Sequence, residues 1–212
     1  MKALVVYAHP DEASFSAALR DVVCTSLRQA GHQVHLLDLY AEDFEPALSA
    51  EELATHAQGL AARPAIASHA ELLATSDALV LVHPTWWGGP PAMLKGWFDR
   101  VFCEGVAFTL PPESTRVRPL LRHVQHLVVV TTYGSPRWIN ALQGEPGRRM
   151  VRWGLRSLLA RRARVRWLAL YDMDRNHDAR RQAFLDQVAA ELANLDRPRR
   201  AQLARLARAG RG

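Results

Sequence analysis

Five short runs of apolar, largely β-branched residues alternate along the chain with longer stretches whose apolar positions recur at helical spacing. That alternation admits few solutions, because parallel strands must be joined by crossovers that a helix fills well. The runs cover residues 3–7, 34–39, 79–82, 127–131 and 165–171. After the first, Phe15, Leu19, Val22, Val23 and Leu27 mark one face of a helix that begins near Ser14 and is closed by Gly31. A polar, alanine-rich helical region over 49–76 and helices over about 92–102, 147–160 and 178–195 complete the pattern. It predicts an α/β fold: a doubly wound, five-stranded parallel sheet in the order 2-1-3-4-5, with helices on both faces. A chain of 212 residues fits one such domain over residues 1–196, followed by a basic, arginine-rich tail over 197–212.

Charge narrows the partners. The formal net charge is +6, but six arginines and no acid stand from Arg197 onward, so residues 1–196 sum to zero. A neutral body argues against a nucleic-acid binding face. Cys24 and Cys103 fit neither a disulfide framework nor a metal-ligand spacing, so no metal is expected. No stretch has the length of a membrane span or the pattern of a signal peptide, which predicts a cytoplasmic protein.

In sheets of this order ligands bind beyond the carboxyl ends of the strands, where strand order reverses. Three loops follow from that rule: HPDEASFS at 9–16, HPTWWGGPP at 83–91 and TTYGSPRW at 131–138. In the first, Ser14 and Ser16 stand at a helix start, where free N–H groups and the helix dipole suit a phosphate, although Ser14 serves equally well as a plain N-cap. His9 is either a ligand contact or a polar strand end. In the second, Gly88 and Gly89 permit close backbone approach and Trp86 and Trp87 offer flat apolar walls, with core or interface packing as the competing role. In the third, Thr131, Thr132, Tyr133 and Gly134 offer hydroxyls and N–H groups to a polar ring edge. No G-x-G-x-x-G and no P-loop pattern is present.

His9 with Ser14-Phe15, the run from Pro84 to Phe102 (PTWWGGPPAMLKGWFDRVF), Thr131-Thr132 and Leu142-Gln143-Gly144 together resemble the flavodoxin-like NAD(P)H:quinone oxidoreductase family. That family includes ancillary subunits of glutathione-gated potassium efflux systems. The resemblance implies hydride transfer from NAD(P)H through flavin N5 to a quinone or similar acceptor, in a homodimer. It implies FAD as cofactor, with FMN as the alternative, and a membrane transporter as a further partner in the ancillary role. His9, Ser14, Phe15 and Ser16 would lie along the flavin phosphates. Pro84, Thr85, Trp86, Trp87 and Gly88 would face the ring on its N5 side, Thr131, Thr132, Tyr133 and Gly134 its N1 and O2 side, and Asp99 the adenine end. Trp87, Gly88, Tyr133 and Gly134 would carry the catalytic role through their backbone groups, the N–H groups of Tyr133 and Gly134 meeting the charge at N1 and O2. Phe108, Leu110 and Asn140 would line the substrate pocket, Phe108 and Leu110 by reaching the pocket of a neighbouring subunit. The chain departs from the family where Pro146 stands in place of a histidine.

Overall fold

The computed structural model describes residues 1–55, 63–111, 116–175 and 178–196. Strands β1 (Lys2–Tyr7), β2 (Gln33–Asp38), β3 (Ala78–Pro84), β6 (His126–Thr132) and β7 (Arg164–Leu170) form one sheet in the order β2-β1-β3-β6-β7. Every pair is parallel, with Tyr7 beside Val82, Val82 beside Val130 and Val130 beside Leu168. This is the predicted 2-1-3-4-5 order. The intervening labels belong to a small antiparallel pair, β4 (Phe108–Thr109) and β5 (Arg118–Pro119), which the sequence pattern does not predict.

Both faces of the sheet are covered, so β3 and β6 are buried at every position and carry the apolar runs 78–82 and 127–130. Pleating sends alternate residues to opposite sides. Leu4, Val6, Leu79, Leu81 and Val129 face a core shared with Leu73, Leu94, Trp97 and Val151. Val5, Val80, Val82 and Val128 face a second core with Leu19, Val23, Phe184 and Val188. The first core packs under α3 (Ala67–Thr75) and α4 (Ala92–Val101), the second under α1 (Phe15–Gln29) and α8 (Asp178–Leu192).

Two helical expectations change. The region over 49–76 divides into α2 (Ala50–Ala54), a 3₁₀ turn at Pro64–Ile66 and α3, with 56–62 outside the described residues. Pro64 accounts for part of the break, since it cannot donate within a continuing helix. The single helix expected over 147–160 is α6 (Pro146–Arg149), a π-helical turn (Met150–Leu155) and α7 (Arg156–Leu158), preceded by α5 (Arg137–Leu142). Proline starts α6 where its missing N–H is harmless.

Helix α4, which leaves the second loop, is pinned from below. Trp97 Nε1–H donates to His69 Nδ1 at 3.1 Å, Arg100 donates to Glu52 and to the Glu45 carbonyl, and Gly96 leaves room for Pro46. On the far face, the buried Arg166 guanidinium takes the carbonyls of Glu191, Asn194 and Leu195, which the end of α8 leaves open. No helix among the described residues is long and apolar enough to cross a membrane. The basic tail over 197–212 lies outside the described residues.

Candidate flavin-type site at the switch point

The three loops converge at the carboxyl edge of β1, β3 and β6. His9 and Trp86 stand with ring centroids 6.4 Å apart. His9 Nδ1 lies 3.0 Å from the Asp11 N–H, and Asp11 Oδ1 accepts from Ala13 N–H, so the first loop is held by its own polar groups. Ser14 caps α1 by accepting from Ala17 N–H at 3.2 Å, which is the N-cap role. Helical geometry still leaves the N–H groups of Phe15 and Ser16 without an intrahelical acceptor, at the positive end of a 15-residue helix. Capping and anion binding therefore coexist here.

The second loop is a tight turn in which Trp86 and Gly89 exchange both backbone hydrogen bonds at 3.0 Å. Closing it demands left-handed backbone at the two central residues, Trp87 at φ +51° and Gly88 at φ +76°. Glycine adopts that conformation freely and tryptophan does not. The N–H groups of Trp87 and Gly88 make no hydrogen bond among the described residues. The Trp87 side chain is wholly exposed, at 105% of its reference area, and Trp86 is 45% exposed. Neither tryptophan is core. A strained residue carrying a bare indole beside two free donors is a surface built to meet a flat ligand.

The third loop behaves differently from expectation. Thr85 N–H donates to the Thr132 carbonyl at 2.8 Å, and Tyr133 N–H donates to the Leu170 carbonyl at 2.8 Å. Each continues the ladder of a parallel strand one residue past its end, so neither donor is free for a ring edge. The donor expected of Tyr133 is thereby withdrawn, and Gly134 alone retains it. A Cβ at Gly134 would stand 2.9 Å from Asp174 Oδ2, which brings the loop after β7 into the site as well. Thr85 and Thr131 hydroxyls share a hydrogen bond of 2.8 Å, and Thr132 is buried beside them.

The structure also assembles residues that the three-loop rule overlooks. Tyr133 stacks on Tyr171 with centroids 4.6 Å apart and planes 16° from parallel. Tyr171 donates to Glu145 Oε1 at 2.8 Å, and Arg148 Nη1 reaches Glu145 Oε2 at 2.8 Å. Burial works against the Glu145 charge, but the hydrogen bonds from Tyr171 and Arg148 outweigh it and hold the carboxyl below its ordinary range. Burial, followed by the bond to Glu145, pushes the Tyr171 phenol up. Pro146 and Gly147 then press on the second loop: Gly147 N–H donates to the Gly88 carbonyl at 2.8 Å, and a Cβ at Gly88 would meet Pro146 Cγ at 3.0 Å. Tyr171 was legible, standing at the end of strand five where the same edge rule applies; Glu145 carried no comparable signal.

His83 is fully buried, and burial pushes its imidazole down to about 4 even though Nδ1 lies 2.8 Å from the Pro84 carbonyl. Pro84 is the last residue of β3 and is buried with it. A small cavity of about 10 Å³ lies among His83, Thr85, Gly89, Tyr133, Gly147 and Trp167. It has room for one water and no more, so a ring must lie on the open surface of the loops.

Four sequence candidates lie outside the three loops of the single chain. Asp99 is the eighth residue of α4, roughly 10 Å along the helix from its start, and Lys95 bridges both its carboxylate oxygens at 2.6 and 2.7 Å. Phe108 packs its side chain against the chain's own core, and Leu110 is exposed with its N–H on Glu104. Asn140 is buried and its amide donates to the Ser135 and Pro136 carbonyls and to Ser135 Oγ, so that amide is engaged inside its own turn. Among the described residues no cluster of side chains could hold a metal ion.

The profile of the flavodoxin-like fold family matches residues 1–195. The chain is 33% identical over 152 residues to ribosyldihydronicotinamide dehydrogenase [quinone] of Pongo abelii, covering 63% of this chain and 64% of that protein. It thus spans somewhat less than two thirds of that relative's length. Among solved structures, Smu.1420 from Streptococcus mutans UA159 superposes with a TM-score of 0.79 at 29% identity, covering 92% of this chain and all of that one. The NAD(P)H:quinone oxidoreductase from Methanothermobacter marburgensis gives 0.76 at 27% identity, with 93% and 97% covered.

Proposed function

Since the chain belongs to the flavodoxin-like fold family, we propose that it is a flavin-dependent NAD(P)H:quinone oxidoreductase acting as a homodimer in the cytoplasm. One observation carries the proposal: the strained Trp86–Gly89 turn, with two unengaged N–H groups and an exposed indole, meets the loop that leads to the open N-terminus of α1 through the Trp86 and His9 rings. The residues fit a flavin. Phe15 and Ser16 N–H groups suit its phosphate, Trp87 and Gly88 N–H groups its polar ring edge, and Trp86 and His9 the wall between them. A bound flavin supplies two-electron transfer between a nicotinamide donor and a quinone-type acceptor, while the protein supplies orientation and electrostatics.

The chain's own residues define what remains. Gly88 keeps the ring face clear, Gly134 presents an N–H with no acceptor among the described residues, and His83, neutral in its buried setting, holds the end of β3 rather than exchanging protons near neutrality. Asp99, expected at the adenine end of FAD, is bridged by Lys95. The proposal therefore commits to the mononucleotide portion that FAD and FMN share. The exposed Trp87, Leu110, Trp138 and Leu142 give apolar area for a second copy. Steady-state turnover with NAD(P)H and menadione tests the assignment. Both substrates using one ring face in turn predicts parallel double-reciprocal lines, and protein loaded with flavin but inert toward every donor refutes it.

A further inference from the structure

Eight arginines and no acidic residue stand between Arg148 and Arg166. The net charge of the body conceals this run, and the fold gathers part of it on one face. Arg148, Arg152 and Arg156 recur every four residues through α6, the π-helical turn and α7, so they form a stripe. Only Arg148 is ion-paired, to Glu145; the side chains of Arg149, Arg152 and Arg156 make no hydrogen bond or ion pair among the described residues. Like charges at this spacing disfavour a helix, so the stripe is retained against a local penalty. Beside it Trp153 is 70% exposed, with the Arg152 guanidinium 5.7 Å from its ring centre.

Stripe and indole line a groove of about 520 Å³ that reaches Val165 and Trp167 on the edge strand β7. That volume suits a small molecule rather than a macromolecular face. The groove also adjoins the switch-point site. Trp167 lines both the groove and the small cavity beside Thr85 and Tyr133, and Gly147, next to Arg148, is bonded to the Gly88 carbonyl. Arg156 lies roughly 13 Å along the helical path from Gly147. A ligand engaging both places must be long, must carry anionic charge away from its reacting end, and gains from a flat group that can stack on tryptophan.

We infer that this groove holds the phosphorylated adenosine end of the nucleotide donor, with Arg152 and Arg156 on a 2′-phosphate and Trp153 against the purine. The protein thereby selects NADPH over NADH. Guanidinium forks suit a phosphate, and an indole face suits a base. The inference rests on the oxidoreductase assignment for its donor, but the groove can be tested without turnover.

Calorimetric titration of the full-length, flavin-loaded protein with adenosine 2′,5′-bisphosphate, adenosine 5′-monophosphate and inorganic phosphate decides it. The bisphosphate is expected to bind at least tenfold more tightly than either other probe. Arg152→Ala and Arg156→Ala should each weaken it about tenfold, and Trp153→Ala severalfold, with thermal unfolding unchanged because all three side chains are on the surface. In turnover, the arginine variants should raise KM for NADPH about tenfold and leave kcat and the KM for NADH unaltered. Bisphosphate binding no tighter than inorganic phosphate, or unaffected by the double variant, overturns the inference. So does binding that fails to compete with NADPH. If neither dinucleotide reduces the flavin, the oxidoreductase assignment fails, while the calorimetry still decides the groove.

Discussion

Replacing His83 by asparagine tests whether the end of β3 is held by a neutral imidazole. His83 is fully buried between strand and loop and titrates at about 4, against 6.5 for the ordinary side chain. As pH falls from 6.5 toward 4, the unfolded chain takes up a proton that the folded chain refuses, so stability present above pH 6.5 is lost across that window. The full loss is about 3 kcal/mol at the acid limit, and about 2 kcal/mol is already gone at pH 5. Asparagine keeps a donor close to the Pro84 carbonyl but cannot ionise in this range. Urea unfolding of both proteins at pH 8 and pH 5 should show the variant losing about 2 kcal/mol less than the parent. His69 and His126, whose imidazoles are also held down by burial first, contribute equally to both proteins and cancel in the comparison. Identical pH dependence in the two proteins would refute the reasoning. The same neutrality predicts that flavin reduction by saturating NAD(P)H shows no inflection between about pH 5.5 and 8 assignable to His83.

Three substitutions probe the contacts that shape the site. Gly96→Ala drives a Cβ into the Pro46 carbonyl oxygen and to 2.5 Å from the Pro46 Cβ. The helix-propensity gain of about 1 kcal/mol is outweighed by overpacking, and chemical denaturation should show a net loss of about 2 kcal/mol. Gly147→Ala sets a Cβ 2.9 Å from the Gly88 carbonyl and 3.1 Å from Gly89 Cα. Because both neighbours are backbone, the Trp86–Gly89 turn must move, and flavin affinity measured by fluorescence quenching should fall about tenfold, a loss of about 1.4 kcal/mol. Tyr171→Phe removes the donor to Glu145 at 2.8 Å, a bond to a charged acceptor, and should lower unfolding free energy by about 1.5–3 kcal/mol.

The sheet and its order were legible because apolar runs and helical spacing report burial directly, and because β3 and β6 are covered on both faces. The convergence of His9, Trp86, Trp87, Gly88 and Gly134 followed from the order alone. What escaped the sequence depended on pairings between distant residues. Nothing local in Thr-Thr-Tyr-Gly says that Tyr133 N–H will meet the Leu170 carbonyl, nor that Asn140 will close its own turn. The β4–β5 pair has only two residues per strand, too few for any alternation to register. Asp99 stands one helical turn from Lys95, a spacing at which the two side chains pair with each other. The arginine stripe is plain in the sequence as a local run, although acids elsewhere bring the net charge of residues 1–196 to zero.

Titration of the purified chain with FMN and with FAD, followed by quenching of flavin fluorescence, tests the central claim most directly. The account predicts saturation at one flavin per chain, with binding weakened in Gly147→Ala and in a Gly88→Trp variant, whose side chain must enter left-handed backbone 3.0 Å from Pro146. Folded protein that leaves the fluorescence of both flavins unchanged would contradict it.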